Sequence, residues 1–164
     1  MRWKVAILTA SDRGSRGERA DTSAQVIREL VEEELQGEIV DYRIVPDEID
    51  EIMAALIEMS DYYHPDLILT TGGIGLQPRD VTPEATLNVI DRQAPGFAEA
   101  MRWAALQKGS DAMLTRAVSG MRGRTLIINL PGNPKGVHEH LSVILDQLPA
   151  AMRMLRGEKA GIAE

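Results

Sequence analysis

Three short apolar runs set the frame for this chain: Val5-Ala6-Ile7-Leu8, Leu67-Ile68-Leu69 leading into Thr70-Thr71, and Thr125-Leu126-Ile127-Ile128-Asn129-Leu130. Each is short, bounded by turn residues and almost without polar interruption, which is the pattern of a buried strand. A fourth, partly alternating run spans Ile39 to Val45. Helical spacing fills the stretches between them. Val26, Ile27, Leu30, Val31 and Leu35 make one stripe behind a Ser23 cap, and Ile49, Ile52, Met53, Leu56 and Ile57 make a second. Thr82-Pro83-Glu84 starts a helix, with Thr as cap, Pro at the first position and Glu complementing the dipole. Further helices are expected over Phe97 to Leu106 and from about Gly136 to Leu148, where Pro149 ends or kinks the chain and Ala150 to Leu155 adds a turn or two. Leu114 to Val118 is a further strand candidate, and Thr9 to Asp21 reads as a polar loop. Buried strands alternating with connections of helical length define an α/β fold with a mostly parallel sheet.

Composition narrows the chemistry. Lys plus Arg number 18 against 25 Asp plus Glu, a net charge of −7 in 164 residues. That argues against a general nucleic-acid or anionic-membrane binder, which needs a basic face. There is no cysteine, which removes disulfides, zinc-thiolate sites and thiol nucleophiles. The apolar stretch after Met1 is too short for a signal sequence, and no run approaches the roughly 20 residues of a membrane span, so a cytoplasmic protein is expected. His64, His138 and His140 lack metal-ligand spacing and read as solvated surface.

In open α/β sheets, ligands bind beyond the carboxyl ends of the strands. Four unusual segments leave strands in this sequence: Ser11-Asp12-Arg13, Pro46-Asp47-Glu48, Gly72 to Asp80, and Leu130-Pro131-Gly132-Asn133-Pro134. All four are expected on one edge of the sheet. Gly72-Gly73-Ile74-Gly75 presents unobstructed N–H groups ahead of a helix start, as suits an anion, although it serves equally as a structural turn. Asp80 either caps that helix or faces a cleft, and Asp47 is either a turn residue or its partner. If both face one cleft they form a carboxylate pair of the kind that holds Mg²⁺ together with substrate phosphates. Arg79 is a phosphate contact or one half of an ion pair. Asn133 caps the last long helix, with Pro134 behind it.

The run Thr70-Thr71-Gly72-Gly73-Ile74-Gly75, followed by Arg79-Asp80-Val81-Thr82-Pro83-Glu84-Ala85-Thr86, closely resembles the signature of the MogA/MoaB family of molybdenum cofactor biosynthesis proteins, related to the G domain of gephyrin. The other three segments match in the same order, and the resemblance extends from about Lys4 to Leu155. It implies a three-layer α/β/α fold in one molybdopterin-binding domain over residues 1–156, with a flexible tail at 157–164. It implies a homotrimer, or a hexamer, and transfer of AMP from ATP to molybdopterin with Mg²⁺. A molybdenum insertase is a further implied partner, and a non-catalytic molybdopterin carrier is the alternative. Asp47 and Asp80 would be the catalytic, metal-holding pair. Ser11, Asp12, Thr71, Gly72, Gly73, Gly75, Arg79, Ser119, Pro131, Gly132 and Asn133 would bind the substrates. The chain departs from the family at position 74, where Ile stands in place of the usual Thr or Ser.

Overall fold

A computed structural model describes residues 2–159. The chain runs β1 (Trp3–Ala10), α1 (Asp12–Ser15), α2 (Thr22–Glu33), β2 (Gly37–Val45), α3 (Ile49–Tyr63), β3 (Leu67–Thr71) and α4 (Thr82–Val89). It continues through β4 (Arg92–Gln93), α5 (Gly96–Leu106), a 3-10 turn at Ser110–Leu114, β5 (Ser119–Arg122), β6 (Thr125–Leu130), α6 (Pro134–Ile144) and α7 (Leu148–Leu155). The strands form one sheet in the order β2-β1-β3-β6-β5-β4. β2, β1, β3 and β6 are mutually parallel, and β5 and β4 add an antiparallel edge.

Alternate residues of the parallel strands face opposite layers. Val5, Ile7, Leu67, Leu69, Leu126 and Ile128 pack against α2, α5, α6 and α7. Ala6, Leu8, Ile68 and Ile127 pack against α3 and α4. Burying each Leu or Ile contributes roughly 1.5–3 kcal/mol, so two apolar layers lock the central strands in register. Among them sits Asn129, fully buried. Its amide donates to Thr70 Oγ1 and Thr86 Oγ1, each at 3.0 Å, and its Oδ1 accepts from the Val118 N–H at 3.1 Å. One polar side chain thus ties β3, α4 and the approach to β5 together.

After β1 the chain moves to β2 on one side and then crosses to β3 on the other. The gap beyond the carboxyl ends of β1 and β3 is therefore a topological switch point, where ligand crevices open. The segments after β1, β2, β3 and β6 all emerge at that end of the sheet, as the strand pattern predicts.

Several local expectations need correcting. The Thr9–Asp21 loop is shorter than predicted: Thr9 and Ala10 pair with Ile44 and Val45, and a one-turn helix follows. Asp21, not Ser23, caps α2, accepting from Ala24 N at 3.2 Å. Thr82 is the first residue of α4 and Val81 occupies the cap position without a side-chain bond. The Leu114–Val118 strand is instead a 3-10 turn and an extended link, with the strand itself at Ser119–Arg122. That strand is hidden in the sequence because Gly120 is needed for contact: a Cβ there would lie 2.5 Å from Ile90 Cδ1 and 2.7 Å from Arg92 O. His140 is buried, not solvated, and burial lowers its pKa. Of the predicted tail, residues 160–164 lie outside the described residues.

Candidate active site

The switch point holds a cleft of about 200 Å³. Of the residues expected at the site, Ser11, Asp47, Thr71, Gly72, Gly73, Asp80 and Gly132 line it. They come from four separate loops.

The glycine turn is wedged between two backbones. Gly72 has φ +96°, and a Cβ on it would lie 2.3 Å from the Ala10 carbonyl oxygen. From the other side, a Cβ on Gly132 would lie 3.1 Å from Gly72 Cα. The turn is also bonded in place: Gly72 N donates to Leu130 O at 3.2 Å, and Thr71 Oγ1 donates to Pro131 O at 2.6 Å. The Gly72 N–H is therefore not free for an anion, contrary to expectation. The N–H groups of Gly73, Gly75 and Gly132 have no acceptor among the described residues.

The two acids flank this turn. A Cβ on Gly73 would lie 3.2 Å from Asp47 Oδ1, and a Cβ on Gly75 would lie 2.8 Å from Asp80 Oδ2. Asp47 Oδ2 accepts from Asp12 N at 3.0 Å, and Asp80 Oδ2 accepts from Gln77 N at 3.0 Å. Each carboxylate keeps its Oδ1 without a hydrogen-bond donor among the described residues. Burial pushes the Asp47 pKa up, and the negative charges of Asp12 and Asp80 push the same way. Arg79 and the Asp12 N–H offset this in part; the two carboxylate oxygens left free fit a divalent cation, since a hard ion takes oxygen ligands and would relieve the remaining repulsion. Asp47 and Asp80 would be the protein's donors in such a site, and no third acid or histidine joins them among the described residues. The remaining ligands would be substrate oxygens or water.

Asp12 braces this arrangement without lining the cleft. Its Oδ1 accepts from Asp47 N at 3.0 Å, returning the bond that Asp47 accepts from Asp12 N. Arg79 donates to both Asp12 oxygens, at 2.7 and 3.0 Å, and to Glu48 Oε1 at 2.8 Å. The Arg79 guanidinium and the Asp47 N–H hold the Asp12 carboxyl down at about 2. Of the two readings of Arg79, the ion pair is the one seen. Ser11 caps α1, accepting from Gly14 N at 2.9 Å.

Ser119 lies on β5, buried, donating to Ala94 O and accepting from Ala98 N, and it does not line the cleft. Pro131 and Asn133 border a second depression of about 370 Å³, together with Lys108 and Lys135. Asn133 also caps α6, as predicted, accepting from Gly136 N at 2.7 Å. Ile74 is buried and does not line the cleft, so the hydroxyl missing at that position is not missing from the cleft wall.

Sequence reasoning passed over two arginines. Arg116 donates to Gly75 O at 2.8 Å, to Asp80 O at 2.7 Å and to both oxygens of Glu84, while its own N–H meets Ile74 O. It rivets the glycine loop to α4 from a position with no motif around it. Arg19 lines the cleft from the loop after β1, where its position in an exposed polar segment was the one available signal. Asp21, also in the cleft wall, is held by Thr9 Oγ1, Tyr42 OH and Ala24 N.

The protein is thus an α/β protein of the open-sheet class, with a wedged glycine turn at its switch point flanked by two acids with free oxygens. Residues 6–150 match the family model described as "Probable molybdopterin binding domain", and the chain belongs to that family. A molybdopterin adenylyltransferase of Helicobacter pylori (strain J99) is 41% identical over 161 residues, covering 98% of this chain and 92% of that protein. Among solved structures, the molybdopterin biosynthesis enzyme MoaB of Thermus thermophilus superposes with a TM-score of 0.90 at 49% identity, covering 96% of this chain and 98% of that one. The tungsten cofactor synthesizing protein MoaB of Pyrococcus furiosus gives 0.85 at 34% identity, covering 94% and 98%.

Proposed function

We propose that this chain is a molybdopterin adenylyltransferase: it transfers the adenylyl group of ATP to molybdopterin and releases pyrophosphate. The observation that carries this reading is the placement of Asp47 and Asp80 on either side of the glycine turn, each with a free carboxylate oxygen. The names of the relatives agree with it. An oxygen of the molybdopterin phosphate attacks the α-phosphorus, a P–O bond forms, and the bond to the pyrophosphate oxygen breaks. No covalent step on the protein is required, so positioning and electrostatics do the work. The cleft is large enough for a phosphate chain, and the depression beside Pro131 and Asn133 offers room for a larger substrate group. Gly73 and Gly132 line the cleft, and their N–H groups, without an acceptor among the described residues, would serve as anion donors. Asp47 and Asp80 would hold Mg²⁺, which when bound neutralises phosphate charge.

The alternative is a carrier that binds molybdopterin without transfer, and the sequence feature that leans that way is Ile74, where the family usually has a hydroxyl. That residue is buried away from the cleft, which favours the enzyme. A homotrimer in the cytoplasm, with an insertase receiving the product, belongs to the same proposal; exposed Trp103, Met113 and Leu114 supply an apolar face for self-association. The test is incubation with ATP, Mg²⁺ and molybdopterin. Stoichiometric pyrophosphate and adenylylated pterin support the enzyme; pterin retained with ATP intact rejects it.

A further inference from the structure

The cleft wall carries three carboxylates, Asp21, Asp47 and Asp80. A phosphate chain entering such a wall needs cationic partners of its own, beyond whatever ion the acids hold. The arginines near the glycine turn are already engaged. Arg79 serves Asp12 and Glu48, and Arg116 serves Glu84 and two loop carbonyls. Neither lines the cleft.

Arg19 does line it, and its side chain has no hydrogen bond or ion pair among the described residues. It lies in the exposed loop between α1 and α2. Its loop neighbour Arg16 is different: it is paired with Glu18 at 3.1 Å and stays outside the cleft. An arginine with no internal partner, beside N–H groups with no internal acceptor, is suited to forked bonding of phosphate oxygens.

We propose that Arg19 is the residue that binds the nucleotide's polyphosphate, contacting oxygens of the part that leaves as pyrophosphate. This rests on the adenylyl-transfer reading for the identity of the substrate. Arg19 would order its loop over the cleft as the phosphate enters, and would stabilise charge as it builds on the leaving group.

The test uses the full chain, Mg²⁺ and two probes, inorganic pyrophosphate and ATP. Calorimetry would compare the wild type with Arg19→Ala, Arg19→Lys and the control Arg16→Ala, alongside steady-state AMP transfer. Arg19→Ala should bind both probes about 10-fold more weakly and show a shallower dependence on salt. Arg19→Lys should recover part of the affinity, since a point charge replaces the fork, and Arg16→Ala should match the wild type. In turnover, KM for ATP should rise in Arg19→Ala while KM for molybdopterin stays put. If Arg19→Ala binds both probes as the wild type does, the proposal is overturned even where the wild type turns over normally. If the wild type transfers no AMP yet Arg19→Ala still weakens pyrophosphate binding, the transferase reading fails and Arg19 stands. Absence of binding of either probe to the wild type overturns both.

Discussion

Replacing Gly72 with alanine isolates what the glycine turn does. At φ +96° an L residue is strained, and its new Cβ meets the Ala10 carbonyl oxygen at 2.3 Å. Ordinary contact begins near 3.4 Å, so the backbones must part by about 1 Å. No side chain can swing aside, because the obstacle is main chain fixed in the sheet. The turn cannot retreat freely either, since Gly132 closes on Gly72 Cα from the other side. Gly17 provides the control: φ is +73°, and a Cβ there meets nothing within 4 Å. Gly17→Ala should cost only left-handed strain, about 1–2 kcal/mol. Gly72→Ala should add an overpacking cost of about 1–3 kcal/mol. For a chain of this size each kcal/mol moves Tm by roughly 2–4 °C. Gly72→Ala should therefore melt roughly 2–12 °C below Gly17→Ala. The larger difference lies in turnover. Displacing the turn by about 1 Å misplaces the reacting groups, which can cost roughly 10²-fold, whereas Gly17→Ala should stay near wild-type rate. Thermal unfolding and AMP transfer measured on both variants decide the matter. Equal melting losses, with turnover retained in Gly72→Ala, would refute the idea that the turn is wedged against the first strand.

Arg116→Ala should lower stability by about 1–3 kcal/mol and reduce kcat by roughly 10-fold or more, because Asp80 and the glycine loop lose their rivet; Arg116→Lys, lacking the fork, should rescue little. At the cleft, the pH dependence follows from the shifts of Asp47 and Asp12. Asp47 is raised, so its contribution to stability is greatest at low pH and is lost as pH rises through its folded pKa. Asp47→Asn should accordingly melt above the wild type at pH 7, with the gap closing in acid. Asp12 is lowered from 3.8 to about 2, so its contribution is present above 3.8 and is lost as pH falls towards 2; Asp12→Asn should melt below the wild type at pH 7 and converge with it in acid. Carboxyl NMR titration should find Asp47 above the ordinary range and falling when Asp80 becomes Asn, because one of the charges raising it is gone. An unmoved Asp47 titration would separate the two acids.

The fold was legible wherever one physical signal dominated. Buried apolar strands and helical stripes marked β1, β2, β3 and β6 and their covering helices, because burial on both faces leaves runs such as Leu67-Ile68-Leu69 uninterrupted. β5 escaped because its residues, Ser119-Gly120-Met121-Arg122, make no apolar run, and Gly120 stands where Ile90 and Arg92 leave no room for a side chain. Near the cleft, the loops leaving the strand ends were enough to expect Asp47, Asp80, Ser11 and the glycine turn along one wall, and that is where they lie. What remained hidden were groups whose role depends on distant partners. Asp12 resembled a cleft residue but braces Asp47 across 35 positions, and Arg116 reaches Asp80 across 36. Local spacing carries no trace of such contacts. Ile74 looked like a lost donor because sequence does not tell that its side chain turns into the core.

Single and double replacement of Asp47 and Asp80 by Asn, followed by single-turnover AMP transfer, tests whether these two acids act as one unit. Groups that share a function are strongly non-additive. Each single variant should stay folded and lose roughly 10² or more in rate, and the double variant should be scarcely slower than either. Multiplicative losses in the double variant, or a wild-type rate in either single one, would show that the acids at 47 and 80 do not work together at the glycine turn.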